Sequence, residues 1–312
     1  MKDNKFRFLL YRLNIVDELG LFSFDVAKRI RNDDQIIDVI NNGTEEKFDY
    51  TKEKPKTICK WSIREFTNYG VIDNRGPIVS VVIAKSVLQK EGQVVTSDKI
   101  ITATSSSSPP LAETAVIFFD LSRHIAAVEY NSAFANNKFW KVAIISIMLK
   151  SAYSLGLTSS IQLEEIPEKH EIIKLFKSFD RLTRLKVHLR IPNPELSRYT
   201  EKLFIDLQEG GIRDYVQDMK NPNGLSVESE ARPFASASLA QAGYKEGEVL
   251  FEGFKDGKHT TVKSTEEAVR GSIDSLKSFV RGISANAKTK EAQNVLTAIA
   301  EEIDRLHPRE QE

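Results

Sequence analysis

One cysteine, Cys59, among 312 residues excludes an intramolecular disulfide framework and any cluster of thiolates around zinc or an iron–sulfur centre. So little thiol suits a reducing cytoplasm. Long apolar runs are missing as well. The most apolar helix-like stretch, residues 139–155, is interrupted by Lys141 and Lys150 and falls short of the roughly 18–20 apolar residues of a membrane span. The opening MKDNKFRFLLYRLNIVDE has too short an apolar core, and no small-residue cleavage site behind it, to read as a signal peptide. A soluble, cytoplasmic chain without membrane insertion is therefore expected. Net charge is absent too: 44 Lys+Arg balance 44 Asp+Glu, so any attraction to nucleic acid has to come from local charge separation. The histidines, His124, His170, His188, His259 and His307, show no metal-ligand spacing, and neither a metal nor another cofactor is expected.

What is present is enough for a folded chain of about two domains, with 41% hydrophobic and 28% charged residues. The pattern predicts an α+β fold in three parts. Residues 1–158 read as an N-terminal domain that opens with a strand over 6–16. A helix capped by Ser23 follows, with Val26, Ile30, Ile37 and Ile40 on one stripe and a stop at Asn41-Asn42-Gly43. Residues 44–57 read as a polar loop. Short β-rich runs at 79–83, 99–104, 115–121 and 125–130 then form an antiparallel meander, interrupted by a loop of serines and Pro109-Pro110. A helix over 134–155, apolar all round, belongs buried under that sheet, with Gly156 ending it.

Residues 159–263 read as a basic α+β domain: strand 160–163, helix 168–179, strand 182–191, helix 194–208, and a hairpin of 247–253 and 258–263 about Asp256-Gly257. Residues 264–312 read as a helical hairpin. Its first helix starts at a capping box of Ser264 and Glu267 and carries Val269, Ile273, Leu276, Val280 and Ile283. The second, over 289–306, carries Ala292, Leu296, Ile299, Ile303 and Leu306.

The charge asymmetry lies in the second half. Residues 169–202 hold nine Lys/Arg against four Asp/Glu, a net of +5, and residues 291–312 hold two against six, a net of −4. In the strand, Leu185, Val187, Leu189 and Ile191 alternate with Arg184, Lys186, His188 and Arg190, so four potential cations share one face. Such a face suits a phosphate backbone, which needs charge and no base-specific geometry. Arg181, Arg198 and Lys202 extend it. The alternative is an ordinary solvated strand face whose charges are paired with acidic neighbours. Lys255, Lys258, His259 and Lys263 on the hairpin form a second basic group, of the kind a hairpin tip carries for solubility. The acidic tail either covers its own sheet or meets the basic region of a second copy, and the opposite charge blocks favour the second arrangement and a homodimer.

No catalytic motif is complete. Gly253 to Lys258 has three residues between its glycines where a phosphate-binding loop has four, and His259 stands in place of the magnesium-binding hydroxyl. Asp120 and Glu129 resemble the paired acids of metal-dependent nucleases, but Asn131 stands where the lysine belongs; the alternative is a structural Asp120–Arg123 pair. Cys59 beside Lys60 has no histidine near it in sequence.

The opening FRFLLYRLNIVDE, the meander ending VIFFDLSRHIAAVEYN, and LKVHLRIPNPEL leading to GLSVESE, a hairpin and helices together resemble an uncharacterised bacterial and prophage protein family. In layout that family is similar to the phage-exclusion protein RexA and to the B component of the Kiwa antiphage system. The resemblance implies a homodimeric antiphage-defence protein that binds double-stranded DNA without catalysis, its basic strand facing the DNA, beside a second protein of the defence system. Two other functions stay open on the residues: a non-catalytic scaffold subunit, and a metal-dependent nuclease working through Asp120 and Glu129.

Overall fold

A computed structural model describes residues 5–17, 32–72, 75–106, 108–131, 134, 139–168, 171–190, 200–212, 214–264, 268–273 and 290–308. The fold is α+β, as the pattern predicts, on two antiparallel sheets. The larger sheet takes β1 (Phe6–Asp17), β2 (Tyr50–Lys54), β3 (Thr57–Ile72), β4 (Arg75–Val95), β5 (Ile100–Ser106), β6 (Ala112–Asp120), β7 (Ile125–Glu129) and β8 (Ser159–Glu165). The smaller is β9 (Arg181–Arg190), β10 (Asp214–Lys220), β11 (Leu250–Lys255) and β12 (Lys258–Lys263), in the order β10-β9-β11-β12. The chain then returns to the larger sheet with β13 (Arg270–Ile273), which completes the order β13-β1-β7-β6-β4-β3-β2.

Both faces of the larger sheet are apolar, so both must be covered. Along β1, Tyr11, Leu13 and Ile15 point to a core closed by helices α1 (Asp33–Asn42) and α2 (Phe139–Ser154), while Phe6, Phe8 and Leu10 point to the opposite one. That second core is closed by α6 (Lys290–Leu306), through Ala292, Val295, Leu296, Ile299 and Ile303. The apolar seam of the last helix is therefore the one the sequence predicts. Its acidic residues lie on a helix that covers its own sheet, which is the first of the two arrangements considered for the tail and not the favoured one. Helix α1 starts at a capping box formed by Asn32 and Gln35, and Ser23 lies outside the described residues.

The smaller sheet has one apolar face, covered by α3 (Glu171–Lys177), α4 (Glu201–Glu209) and α5 (Arg232–Gln241). This unit is an insertion. The Ile166 amide donates to the Leu10 carbonyl at 3.1 Å, Leu10 donates to Val269 at 3.1 Å, and Val269 donates to Ile166 at 2.8 Å. β8 and β13 thus lie end to end along one edge of β1, as a single strand line broken after Ile166 and resumed at Val269. Two expected boundaries are corrected by this. β8 belongs to the larger sheet, so that sheet extends past residue 158, and the described part of residues 264–312 supplies β13 and α6 to that same sheet in place of a separate helical hairpin.

The helix expected to start at Ser264 is a strand where the chain is described, over 270–273. Val269 and Ile273 are four apart, a spacing that keeps two side chains on one face of a helix and, being even, on one face of a strand as well. Gly271 sits between them, where a Cβ would lie 2.4 Å from the Phe8 ring. Only a glycine lets β13 pass under that ring. The remaining positions of the expected helix, 274–283, lie outside the described residues. The loop expected over 44–57 holds a 3-10 turn at Glu46–Phe48 and the edge strand β2, joined to β3 through the two-residue turn Pro55-Lys56. An edge strand needs no apolar alternation, and this one carries lysines instead.

The junction of the two units holds a carboxyl far from its usual range. Burial pushes Glu164 up to about 7; Glu165 and Glu246 add to the rise, and Lys141 and Lys245 oppose it. The folded state then holds a proton that the unfolded chain, at 4.5, releases earlier. Stability contributed here is present below pH 4.5 and is lost as pH rises towards 7. Glu164→Gln removes the titration, and we expect it to stabilise the protein by on the order of 2 kcal/mol at pH 8 and by little at pH 4.5. Urea titrations of both proteins at the two pH values measure it; an equal difference at both would contradict the assignment.

Candidate functional site

The strand alternation places Arg184, Lys186, His188 and Arg190 on one face of β9, opposite the buried Leu185, Val187 and Leu189. Acids from neighbouring segments meet most of them there. Arg184 forks onto Asp218 at 2.8 and 2.9 Å and reaches Glu252 at 2.7 Å. The Arg184 fork holds Asp218 down at about 2. Arg190 contacts Asp214 at 3.2 Å and Glu246 at 2.9 Å, and His188 lies against the same two carboxylates. Burial pushes Asp214 up, yet His188 and Arg190 outweigh it and hold the group below its ordinary value. The face therefore alternates in sign, which matches the solvated-face alternative. Lys186 is exposed. Arg181, also exposed, packs over the Phe254 ring at 4.3 Å. Lys202 sits on α4, in the helical layer on the other side of the sheet, and Arg198 lies outside the described residues. Lys255, Lys258 and His259 are exposed about the hairpin, whose β11–β12 pairing is the one expected, and Lys263 pairs with Glu248 at 2.7 Å.

His188, Asp214 and Glu246 bring ligand atoms within 4.8 Å of one another. Their arrangement is that of an ion-pair network. Asp214 lies on the imidazole Nε2 and Glu246 on Nδ1, so the donors do not converge on one point, and the Arg190 guanidinium contacts both carboxylates. The acids of the nuclease alternative are held apart. In the β6–β7 ladder Asp120 stands opposite Ile125, while Glu129 aligns with Val116, four positions or roughly 13 Å away at ~3.3 Å per residue. Both are buried. Asp120 caps the 3-10 turn Leu121–Arg123 by accepting from the Ser122 hydroxyl and the Arg123 amide, and Glu129 accepts from the Val116 amide at 3.0 Å. Asp120 thus accepts from the Arg123 amide, and the Arg123 guanidinium donates to Asp304.

A different group of cations outnumbers the acids beside it among the described residues. At the far end of the larger sheet, a groove of about 390 Å³ opens between β2, β3 and β4 on the side of α2. Among the described residues, Lys52, Lys54, Lys85 and Lys90 line it with a single carboxylate, Glu113, which stands 3.3 Å from Lys85. Cys59, Val87 and Phe139 form an apolar floor beside the buried Trp61. The Lys52 ammonium lies 3.1 Å from the centre of the Phe139 ring. Register explains the convergence. Lys52 and Lys54 alternate on β2 opposite Cys59 and Thr57, and Lys85 stands opposite Trp61. Lys90 is five residues beyond Lys85, an odd spacing that would turn it to the other face. A bulge opposite Ile58 and Cys59 restores it to this one, opposite Thr57.

Sequence reasoning missed Lys52 and Lys54 because residues 44–57 read as a loop, and Lys85 and Lys90 because the run read over 79–83 stops short of them, where the strand continues to Val95. The signal present was the alternation of Tyr50, Lys52 and Lys54 with Thr51 and Glu53. Among the described residues no helix is long and apolar enough to cross a membrane. Residues 49–281, well over half of the chain, match a family described as a domain of unknown function, DUF4747. No curated protein matches the chain.

Proposed function

The chain belongs to the DUF4747 family, and from that premise we propose that it is a non-catalytic nucleic-acid-binding protein that engages phosphates through the lysines of β2 and β4. The observation that carries the reading is the groove lined by Lys52, Lys54, Lys85 and Lys90 against one carboxylate. An excess of cations without paired acids is what releases condensed counterions from a phosphate backbone. The β9 face, with its cations held by Asp214, Asp218, Glu246 and Glu252, has little to offer of that kind. The interface thus moves from the smaller sheet to the larger.

Binding with about three net phosphate contacts gives an affinity of about 10⁻⁴–10⁻⁶ M at physiological salt, and roughly 50-fold weakening from 50 to 200 mM salt. Lys54→Glu with Lys90→Glu, both at exposed positions, is expected to lower affinity for DNA at least tenfold, whereas Lys186→Glu on β9 changes it less than twofold. Polarisation titrations at two salt concentrations decide it, and a larger loss from Lys186→Glu returns the interface to β9. The cellular context we attach is antiphage defence in a bacterial cytoplasm, on the resemblance in layout. The double variant then also loses protection in a plaque assay.

A second reading, a protein-interaction subunit, has an observation of its own. β4 and β5 continue as a two-stranded ribbon to the turn at 96–99, and Val95 and Ile100 stand opposite each other there, 77% and 63% exposed. Under that reading Val95→Ser with Ile100→Ser abolishes self-association or partner capture and leaves DNA affinity unchanged. Light scattering and a DNA titration on one sample separate the two readings.

A further inference from the structure

We infer that the lysine groove is a pocket for one unpaired nucleotide, with its phosphate held by Lys52, Lys54 and Lys90 and its base laid on Cys59, Val87 and Phe139. The inference rests on the phosphate-directed reading above and narrows it from a backbone to a strand whose base is free to enter.

The shape of the site carries the argument. The groove runs along β3 from Thr57 to Trp61, four residues or roughly 13 Å at ~3.3 Å per residue, a length that a single nucleotide fills. Its volume of about 390 Å³ lies in the range of small-ligand pockets, roughly 300–1,000 Å³. A duplex keeps its bases stacked inside and presents only phosphates to such an opening, so it leaves the floor empty. The lining is also polar at one end and mixed at the other. Lys54, Thr57 and Lys90 share the end towards the β2–β3 turn. At the other end Lys85 is already met by Glu113, whose carboxylate suits an exocyclic amine of a base better than a second phosphate.

The floor separates a nucleotide from simpler anions. Inorganic phosphate or an acidic peptide satisfies the lysines and leaves Val87 and Phe139 in water. A base covers them, and planar bases stack on aromatic rings without regard to sequence. Lys52 sits over the Phe139 ring at present and has a flexible four-carbon stem. Turning its ammonium onto the incoming phosphate exposes the ring face to the base, so one movement serves both contacts.

Cys59 is the only cysteine and lines the groove, so its alkylation by iodoacetamide reports on occupancy there alone. A short oligodeoxycytidylate and deoxycytidine monophosphate, whose exocyclic amine matches Glu113, are each expected to slow alkylation at least fivefold at saturation. The oligomer acting at lower concentration assigns the pocket to single strands, and the monophosphate alone acting assigns it to free nucleotides. A duplex, inorganic phosphate and a polyglutamate peptide are expected to slow it less than twofold. Val87→Phe fills the floor and supplies a second measurement, independent of the thiol: affinity for a labelled single strand falls at least tenfold while affinity for duplex is retained. Salt-sensitive nucleic-acid binding with neither protection nor a Val87→Phe effect overturns the pocket and leaves the phosphate reading standing. Protection by polyglutamate or inorganic phosphate equal to that by the nucleotide overturns the pocket as well, and no binding of any nucleic acid at low salt overturns both.

Discussion

Arg12→Met is expected to destabilise the protein by about 3–5 kcal/mol, because it takes one side chain out of four different parts of the fold at once. Arg12 is on β1 and fully buried. Its Nε and Nη2 donate to the Ala242 carbonyl at 3.1 and 2.9 Å, just after α5 in the inserted unit, and its Nη1 donates to the Arg123 carbonyl at 2.5 Å. Nη2 also lies 2.8 Å from the His307 Nε2 beyond α6, and the guanidinium packs over the Tyr244 ring at 4.7 Å. Methionine keeps the apolar stem and much of the volume. What it removes is the fork, leaving buried carbonyls without a donor, each at about 1–3 kcal/mol. Arg12→Lys restores the charge without the fork geometry, and we expect about half the loss. Urea denaturation reads the difference, and a loss below about 1 kcal/mol for Arg12→Met contradicts the role. The contacts to Ala242 and Tyr244 join the insertion to β1, so limited proteolysis of the variant is expected to cut first near residues 167–168 or 268–269, where the two chain crossings lie.

The legible parts of the fold are those where one periodicity has one meaning. α6 repeats Ala292, Leu296, Ile299 and Ile303 at helical spacing and packs with those residues inward. β9 alternates strictly and buries Leu185, Val187 and Leu189. Where a spacing is shared by two structures the sequence cannot choose, as with Val269 and Ile273, whose separation fits a helix and the strand β13 equally. β13 is decided by its partner, the Phe6–Leu9 segment of β1, at the other end of the chain. The same holds for the candidate site. Counting charge within residues 169–202 finds a cationic stretch, but Asp214, Asp218, Glu246 and Glu252, the acids that meet it, arrive from β10, β11 and the turn before β11. The lysine groove is hidden for the opposite reason. Lys52 and Lys54 are separated from Lys85 and Lys90 by about thirty residues of chain, and a bulge brings Lys90 round, which no local pattern announces.

Asp304 is where charge rather than packing fixes the last helix. Its two carboxylate oxygens accept from Arg75 and from Arg123, each at 2.6 Å. Arg123 has no exposed side-chain surface, whereas Asp304 keeps about a third of its own. The Arg123 guanidinium also donates to the His307 carbonyl at 2.7 Å, so the end of α6 is tied to the 3-10 turn after β6 at two successive points. Asp304→Ala leaves a buried guanidinium without this carboxylate, a defect of about 3–5 kcal/mol for a fully buried pair and about 2–4 kcal/mol with the partial exposure of Asp304. Asp304→Asn keeps one oxygen acceptor but turns its other group into a donor facing an arginine, so we expect a loss of comparable sign and about half the size. Arg75→Ala removes the more exposed partner, 20% accessible, and is expected to change stability by no more than about 1 kcal/mol. The ranking is the test. Equal losses for Arg75→Ala and Asp304→Ala in urea titrations contradict a dominant Arg123 contact. If the ranking holds, removing the chain after Arg305 takes away the His307 contacts to Arg12 and Arg123 together and lowers stability. Under the arrangement seen here it has no reason to raise DNA affinity, because α6 covers the apolar face of β1 and not the lysines.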